Sequence, residues 1–179
     1  MDYLIGVGAD RESGRLKPED LVSRAMWQLG SVGFALRNQS SIYFSPFADG
    51  SGPAVYLAAA RVFCDRGAAA VFEGARRIAG LVQEGGLWVR PLASWSGCYP
   101  DEVTAARAGR GQDVGADVLP DPRLSGDAGL LLAVAEIAPD WRHPLTGQTA
   151  RELGARLGTA NITVVGGLRD FDADRDVAE

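Results

Sequence analysis

The chain is poor in the residues on which much enzyme chemistry depends. Its 179 residues hold one histidine, His143, and two cysteines, Cys64 and Cys98. A single imidazole rules out a zinc cluster built on histidines, and because that one histidine sits in a loop segment, no His-based triad is expected either. His143 itself lies in the segment Trp141-Arg142-His143-Pro144 and reads as a surface residue. The two thiols sit in an apolar run and in a loop-like SWSGCYP segment, without metal-ligand spacing, which points to reduced cysteines and a cytoplasmic setting. A basic surplus is also missing: 18 Lys and Arg face 23 Asp and Glu, for a net charge of −5. Nucleic acid and anionic membrane both demand a basic surface, so neither is an expected partner. No apolar run reaches the roughly 18 residues that span a bilayer, and MDYLIGVGAD has neither the basic start nor the long apolar core of a signal peptide.

What is present suits one globular α+β domain, since 46% of the residues are hydrophobic and no repeat or low-complexity block interrupts them. The organising stretch is Leu130–Gly158. An apolar run from Leu130 to Glu136 has strand length, a loop marked by Pro139 and Pro144 follows, and Thr149 with Glu152 three residues on forms a capping box at the start of a helix. Earlier in the chain, Tyr3–Val7 reads as a buried strand. Pro18 with Glu19 and Asp20 opens a helix that carries Leu21, Ala25 and Leu29 on one face and stops at Gly30. Partial alternation through Phe34, Leu36, Ile42 and Phe44 predicts a second strand, bounded by Pro46 and a Gly-rich loop at 48–53. Tyr56–Cys64 predicts a central strand, 67–82 a helix and Leu87–Trp95 a fourth strand. The order strand, helix, strand, strand, helix, strand is ferredoxin-like, an antiparallel sheet with helices packed on it. Residues 104–117 are small and polar and read as a surface loop. The body of the domain is assigned to 1–160; 161–179 holds a possible extra strand at Asn161–Val165 and an acidic tail with Asp170, Asp172, Asp174 and Asp176.

Several fragments, in order, resemble the 6-hydroxymethyl-dihydropterin pyrophosphokinase (HPPK) family. The stretch Leu130–Gly158 is similar to the family's C-terminal signature. Gly8-Ala9-Asp10 stands where the family has a Gly-Ser-Asn turn, and Ser41-Ile42-Tyr43 with Ser45-Pro46 is similar to its Ser-x-Tyr-x-Thr/Ser-Pro segment. Pro53 with Tyr56-Leu57-Ala58-Ala59-Ala60 resembles Pro-x-Phe/Tyr-Leu-Asn-Ala, and Leu119-Pro120-Asp121-Pro122-Arg123-Leu124 resembles Leu-Pro-His-Pro-Arg-Leu. The resemblance implies an antiparallel sheet with packed helices, ATP and a pterin alcohol as substrates, and magnesium held by an Asp-x-Asp pair on the strand that follows a Trp-Gly-Pro-Arg segment.

The departures fall on that chemistry. Trp88-Val89-Arg90 looks like the Trp-Gly-Pro-Arg segment one residue short, which sets the Asp-x-Asp positions near Ala93 and Trp95, where neither side chain offers the oxygen ligands that magnesium takes. The pterin-contacting Asn is Ala58, the phosphate-contacting His is Asp121, the Arg and Phe of the family's Arg-x-Phe-x-Leu segment fall at Asp127 and Gly129, and the arginine-bearing loop is shortened at Gln83–Leu87. The expectation is therefore a scaffold of this family without catalytic residues, metal or cofactor, which holds a ligand at Gly8, Ser45, Pro46, Tyr56, Trp88 and Arg90. A pterin, a nucleotide, a protein partner or a second copy of the chain are the expected partners. The alternative is an active pyrophosphokinase whose magnesium ligands are rebuilt from Asp10, Asp101, Glu102 or Asp121. A third expectation is an interaction module whose strand at 161–165 pairs with another chain.

Overall fold

The computed structural model describes residues 1–13, 15–46, 54–80, 86–95 and 117–168. The loop expected at 48–53, the shortened loop at 83–85, Cys98, Asp101, Glu102, the segment 104–116 and the acidic tail lie outside the described residues.

The chain order is β1 (Asp2–Ala9), α1 (Pro18–Gln28), β2 (Ala35–Gln39), β3 (Ile42–Ser45), β4 (Val55–Phe63), α2 (Gly67–Gly80), β5 (Leu87–Ser94), α3 (Ala128–Ile137), α4 (Ala150–Leu157) and β6 (Thr163–Gly166). The six strands form one sheet in the order β5-β1-β4-β3-β6, with β2 also paired to β4. Every pairing is antiparallel. The first five strands and two helices thus realise the ferredoxin-like order expected from the sequence.

Side-chain alternation along β1 divides the interior in two. Tyr3, Ile5 and Val7 point to one face, where they meet Leu21 and Met26 of α1 and Val71 and Ile78 of α2. Leu4 points to the other, where Leu57, Ala59 and Leu92 of the sheet meet Leu130 and Leu131 of α3 and Leu153 of α4. The alanines of β4 do not weaken its place in the sheet: Ala58, Ala59 and Ala60 are fully buried and fill the thin space beneath helices on both sides.

Two elements differ from the sequence reading. The stretch expected as a strand from Leu130 is helix α3. Its residues are mostly Ala and Leu, strong helix formers, and the helix lies between the sheet and α4, so it is apolar on nearly every side and shows no amphipathic period to read. Asp127 caps it by accepting the Leu130 N–H at 3.0 Å. The organising unit is therefore helix–loop–helix, and α4 begins with the expected capping box, Thr149 and Glu152 each bonding the other's backbone N–H. The second difference lies in the expected strand 34–44, which is two strands. At Ser40 the backbone N–H bonds Ala59 O while the Ser40 hydroxyl accepts the Ala59 N–H, both at 2.9 Å, so a side chain replaces one rung of the ladder and the strand breaks there.

β6 pairs with β3 of its own chain. Among the described residues, no helix is long and apolar enough to cross a membrane.

Candidate functional site

The face of the sheet beneath α3 carries the chemistry. β1 has glycine at both positions that point there beyond Leu4, Gly6 and Gly8, and each does a separate job. A Cβ on Gly6 would meet Leu130 and Leu92, so its absence lets α3 settle on the sheet. A Cβ on Gly8 would strike the Trp88 indole, which occupies this position. The register sets Gly8 opposite Trp88 and Gly6 opposite Arg90. Trp88 and Arg90, two apart on β5, therefore share this face, and the Arg90 guanidinium sits over the Trp88 ring, 4.4 Å from its centroid. Ser45 reaches the same face from β3: a Cβ on Gly129 would lie 3.1 Å from the Ser45 Cβ. The N-terminal turn of α3 thus stands over the sheet between Ser45 and the Trp88–Arg90 pair.

Charges gather around that turn. Asp121, 4% exposed, lies along the outer edge of β5, where its N–H donates to Leu92 O at 2.8 Å. Its carboxylate accepts from the Arg123 backbone N–H and takes both arms of the Arg123 guanidinium, at 3.0 and 2.9 Å. This bidentate pair consumes both oxygens of Asp121. Burial holds the Asp127 carboxyl above its ordinary range, partly offset by backbone N–H groups of Leu130 and Gly129 and by the positive charge of Arg90. Burial, and then the like charge of Arg123, lower the pKa of Arg90. Two guanidiniums and two carboxyls therefore feel one another at the mouth of this face.

The expected ligand residues do not all converge. Gly8, Ser45, Trp88 and Arg90 lie on the α3 face. Tyr56 points to the opposite face, packs on the first core and meets Phe44 edge-on at 5.1 Å. Pro46, half-buried, ends β3. Trp88-Val89-Arg90 opens β5, within the strand expected at Leu87–Trp95. Ala93 and Trp95 stand toward the other end of that strand, Ala93 opposite Leu4 and the Trp95 N–H bonded to Asp2 O. Trp95 is covered there by Arg61, whose guanidinium lies 3.6 Å from the ring centroid. Asp10, just beyond the end of β1, is bonded to Arg11 at 2.9 Å. Among the described residues, no group of three or more His, Cys, Asp or Glu side chains is placed to hold a metal.

His143 is buried, at 2% exposure, not on the surface as its loop composition suggested. The Pro-punctuated loop folds over its ring, with Trp141 edge-on at 5.8 Å. The Leu145 N–H donates to Nδ1 at 3.3 Å, which leaves the ring proton on Nε2, facing the Ser125 hydroxyl at 3.2 Å. In that tautomer the imidazole donates a hydrogen bond to the Ser125 hydroxyl and has no lone pair at Nε2 to take its proton, so the pair is no nucleophile–base dyad. Burial also lowers the His143 pKa, keeping the ring neutral.

This architecture has a solved counterpart. A crystal structure of the Plasmodium falciparum HPPK-DHPS protein with pteroate matches 87% of this chain with a TM-score of 0.56, at 11% identity. The likeness is one of fold. The chain spans 42% of the length of that protein. No family model and no curated protein sequence matches the chain.

Sequence reasoning passed over Asp127 as a functional group, treating it as the loss of an arginine. The signal was present: an aspartate directly before a ten-residue run of helix formers is an N-cap signature. The ion pair of Asp121 with Arg123 left a trace too, in their i, i+2 spacing around Pro122.

Proposed function

We propose that this chain is a divergent HPPK-like protein that has given up magnesium-dependent diphosphate transfer and uses the α3 face of its sheet to hold a ligand. The observation that carries the reading is the lack of a carboxylate where the resemblance sets the Asp-x-Asp pair. Those positions fall at Ala93 and Trp95, at the far end of β5, with Ala93 opposite Leu4 and the Trp95 ring covered by Arg61. Neither side chain offers magnesium an oxygen, and the residues that open β5 on the α3 face, Trp88 and Arg90, offer none either. Diphosphate transfer relies on metals to spread negative charge over the phosphates, so a strand without the anionic pair lacks the electrostatic centre of the reaction. Asp121 supports the same reading, because its oxygens are spent on Arg123. Asp127 supports it through its place as a helix cap.

The experiment is incubation of the purified protein with ATP, magnesium and 6-hydroxymethyl-dihydropterin, followed by separation of AMP and the pterin diphosphate. The expected outcome is no AMP above the background of a heat-denatured sample. Sustained formation of both products would overturn the proposal and return the chain to the enzymes.

A further inference from the structure

The loop between α3 and α4 closes on a single ring. The Thr146 and Gly147 N–H groups donate to His143 O at 3.2 and 2.8 Å, and the His143 N–H donates to Gln148 O at 2.8 Å, so the backbone folds tightly around residue 143. The imidazole completes that turn. Its Nδ1 accepts the Leu145 N–H at 3.3 Å, and its Nε2 proton meets the Ser125 hydroxyl at 3.2 Å, which ties the loop to the short turn Leu124–Gly126 ahead of α3. Both bonds exist together only while the ring is neutral. A proton added at Nδ1 would set one N–H against another across 3.3 Å, two donors with no acceptor between them.

The resulting cation would have no acid beside it. His143 is buried, and among the described residues no carboxylate forms an ion pair with its ring. The charged groups of the surrounding elements are turned to other work. In the loop, Asp140 is exposed and Arg142 donates to Gly147 O. On α4, Arg151 is exposed, Glu152 is held in the capping box and Arg156 donates to Gln148 Oε1. Before and after the Ser125 turn, Arg123 pairs with Asp121 and Asp127 caps α3, whose Glu136 accepts from Ser41 and Tyr43. None of these charges shifts the ring; burial is the one cause that lowers its pKa. A buried imidazolium without a counter-ion is costly, so a proton favours a state in which the ring reaches water.

We infer that His143 is a pH-operated latch: its neutral ring holds the 138–149 loop shut against the Ser125 turn, and a proton at Nδ1 opens the loop. The sign follows from the lowered pKa. The closed loop binds the proton less tightly than the open one, so closure is fully favoured above the ordinary 6.5 and loses ground as the pH falls from there toward the lowered value. Ser125 stands two residues before Asp127, so the latch bears on the turn that leads into the cap of α3.

The test is nuclear magnetic resonance on the untagged full chain, in which His143 is the one imidazole and its ring nitrogens give a single set of signals. At about pH 7.5 the ring should be the Nε2–H tautomer. As the pH falls to about 5, the ring should gain its proton with a midpoint below 6.5. Over the same range the protection of the Leu145 amide from hydrogen exchange should fall, by up to about tenfold per pH unit, while the amides of Tyr3–Ala9 keep theirs. His143→Gln, which cannot take up the proton, should show no such step, and the wild-type titration decides the matter even if that variant fails to fold. An Nδ1–H ring at neutral pH, a midpoint at or above 6.5, Leu145 protection unchanged through the titration of the ring, or a step that persists in His143→Gln would each overturn the inference. Loss of protection along β1 at the same pH as at Leu145 would overturn it too, because that marks unfolding of the whole chain rather than release of a loop.

Discussion

Asp127 takes part in two opposed effects. Its carboxylate caps α3, which favours a negative charge at the helix N-terminus, yet the same position is buried, and burial raises its pKa from the ordinary 3.8. The net direction is upward, so desolvation outweighs the cap. A raised carboxyl pKa means that the folded state binds its proton more tightly than the unfolded chain. The stability this brings is fully present below the unfolded pKa and is lost as pH rises through the folded one. Asp127→Asn keeps an oxygen that can accept the Leu130 N–H and removes the charge. The variant should therefore match or exceed the wild type in urea melts at pH 7, while the fall in wild-type stability on raising the pH above about 4 should flatten. A variant less stable than the wild type at pH 7 would show that the charge–dipole attraction and Arg90 prevail after all.

At the level of elements, the two helices around the His143 loop were unequally legible. α4 announced itself through Thr149 and Glu152, because a capping box is a local device whose partners are three residues apart. Thr149→Ala should cost about 1 kcal/mol, the usual size of a lost N-cap, read as a shift in the urea midpoint without a change in slope. A midpoint unmoved by the substitution would mean that packing of Leu153 and Ala150 alone holds the helix. α3 was hidden because its environment erases the pattern that sequence reading relies on. A helix covered by a sheet and a second helix has no polar stripe, and the six apolar residues Leu130–Ala135 in a row satisfy a strand just as well. β5 was visible as a strand, but which of its residues face α3 was not. That depends on the register against β1 and on a shift in pairing between Leu4 and Ile5, which is fixed by contacts far away in sequence. The same limit split the candidate ligand residues. Tyr56 and Leu57 are neighbours in the chain and belong to opposite faces of β4, so a motif spanning both cannot line one pocket.

For the molecule as a whole, the sheet is a wall between two cores. The α1–α2 side and the α3–α4 side share backbone but few side chains, since alternate residues of each strand commit to one side. Ile78→Val on the first side and Ile137→Val on the second should each cost about 0.5–1.5 kcal/mol. The double variant should lose their sum to within about 0.5 kcal/mol, the additivity found for sites without shared partners. A larger departure, measured by urea unfolding of the four proteins, would mean that the wall transmits repacking. Such insulation is consistent with a chain that keeps its fold while the α3 face departs so far from the family it resembles.

The position of β1 carries a consequence for how this protein is made. β1 is synthesised before both strands that flank it in the sheet, β4 and β5, with Val7 opposite Ala58 on one side and Val89 on the other. At roughly 5–20 residues per second, Val89 is synthesised on the order of 10 s after Val7. Until Ala58 follows, part-way through that interval, a strand buried along Tyr3–Ala9 in the finished protein is without a sheet partner on either edge, and the edge that β5 covers stays open to its end. The β1–β5 edge of the sheet can thus close only once Leu87–Ser94 has been made.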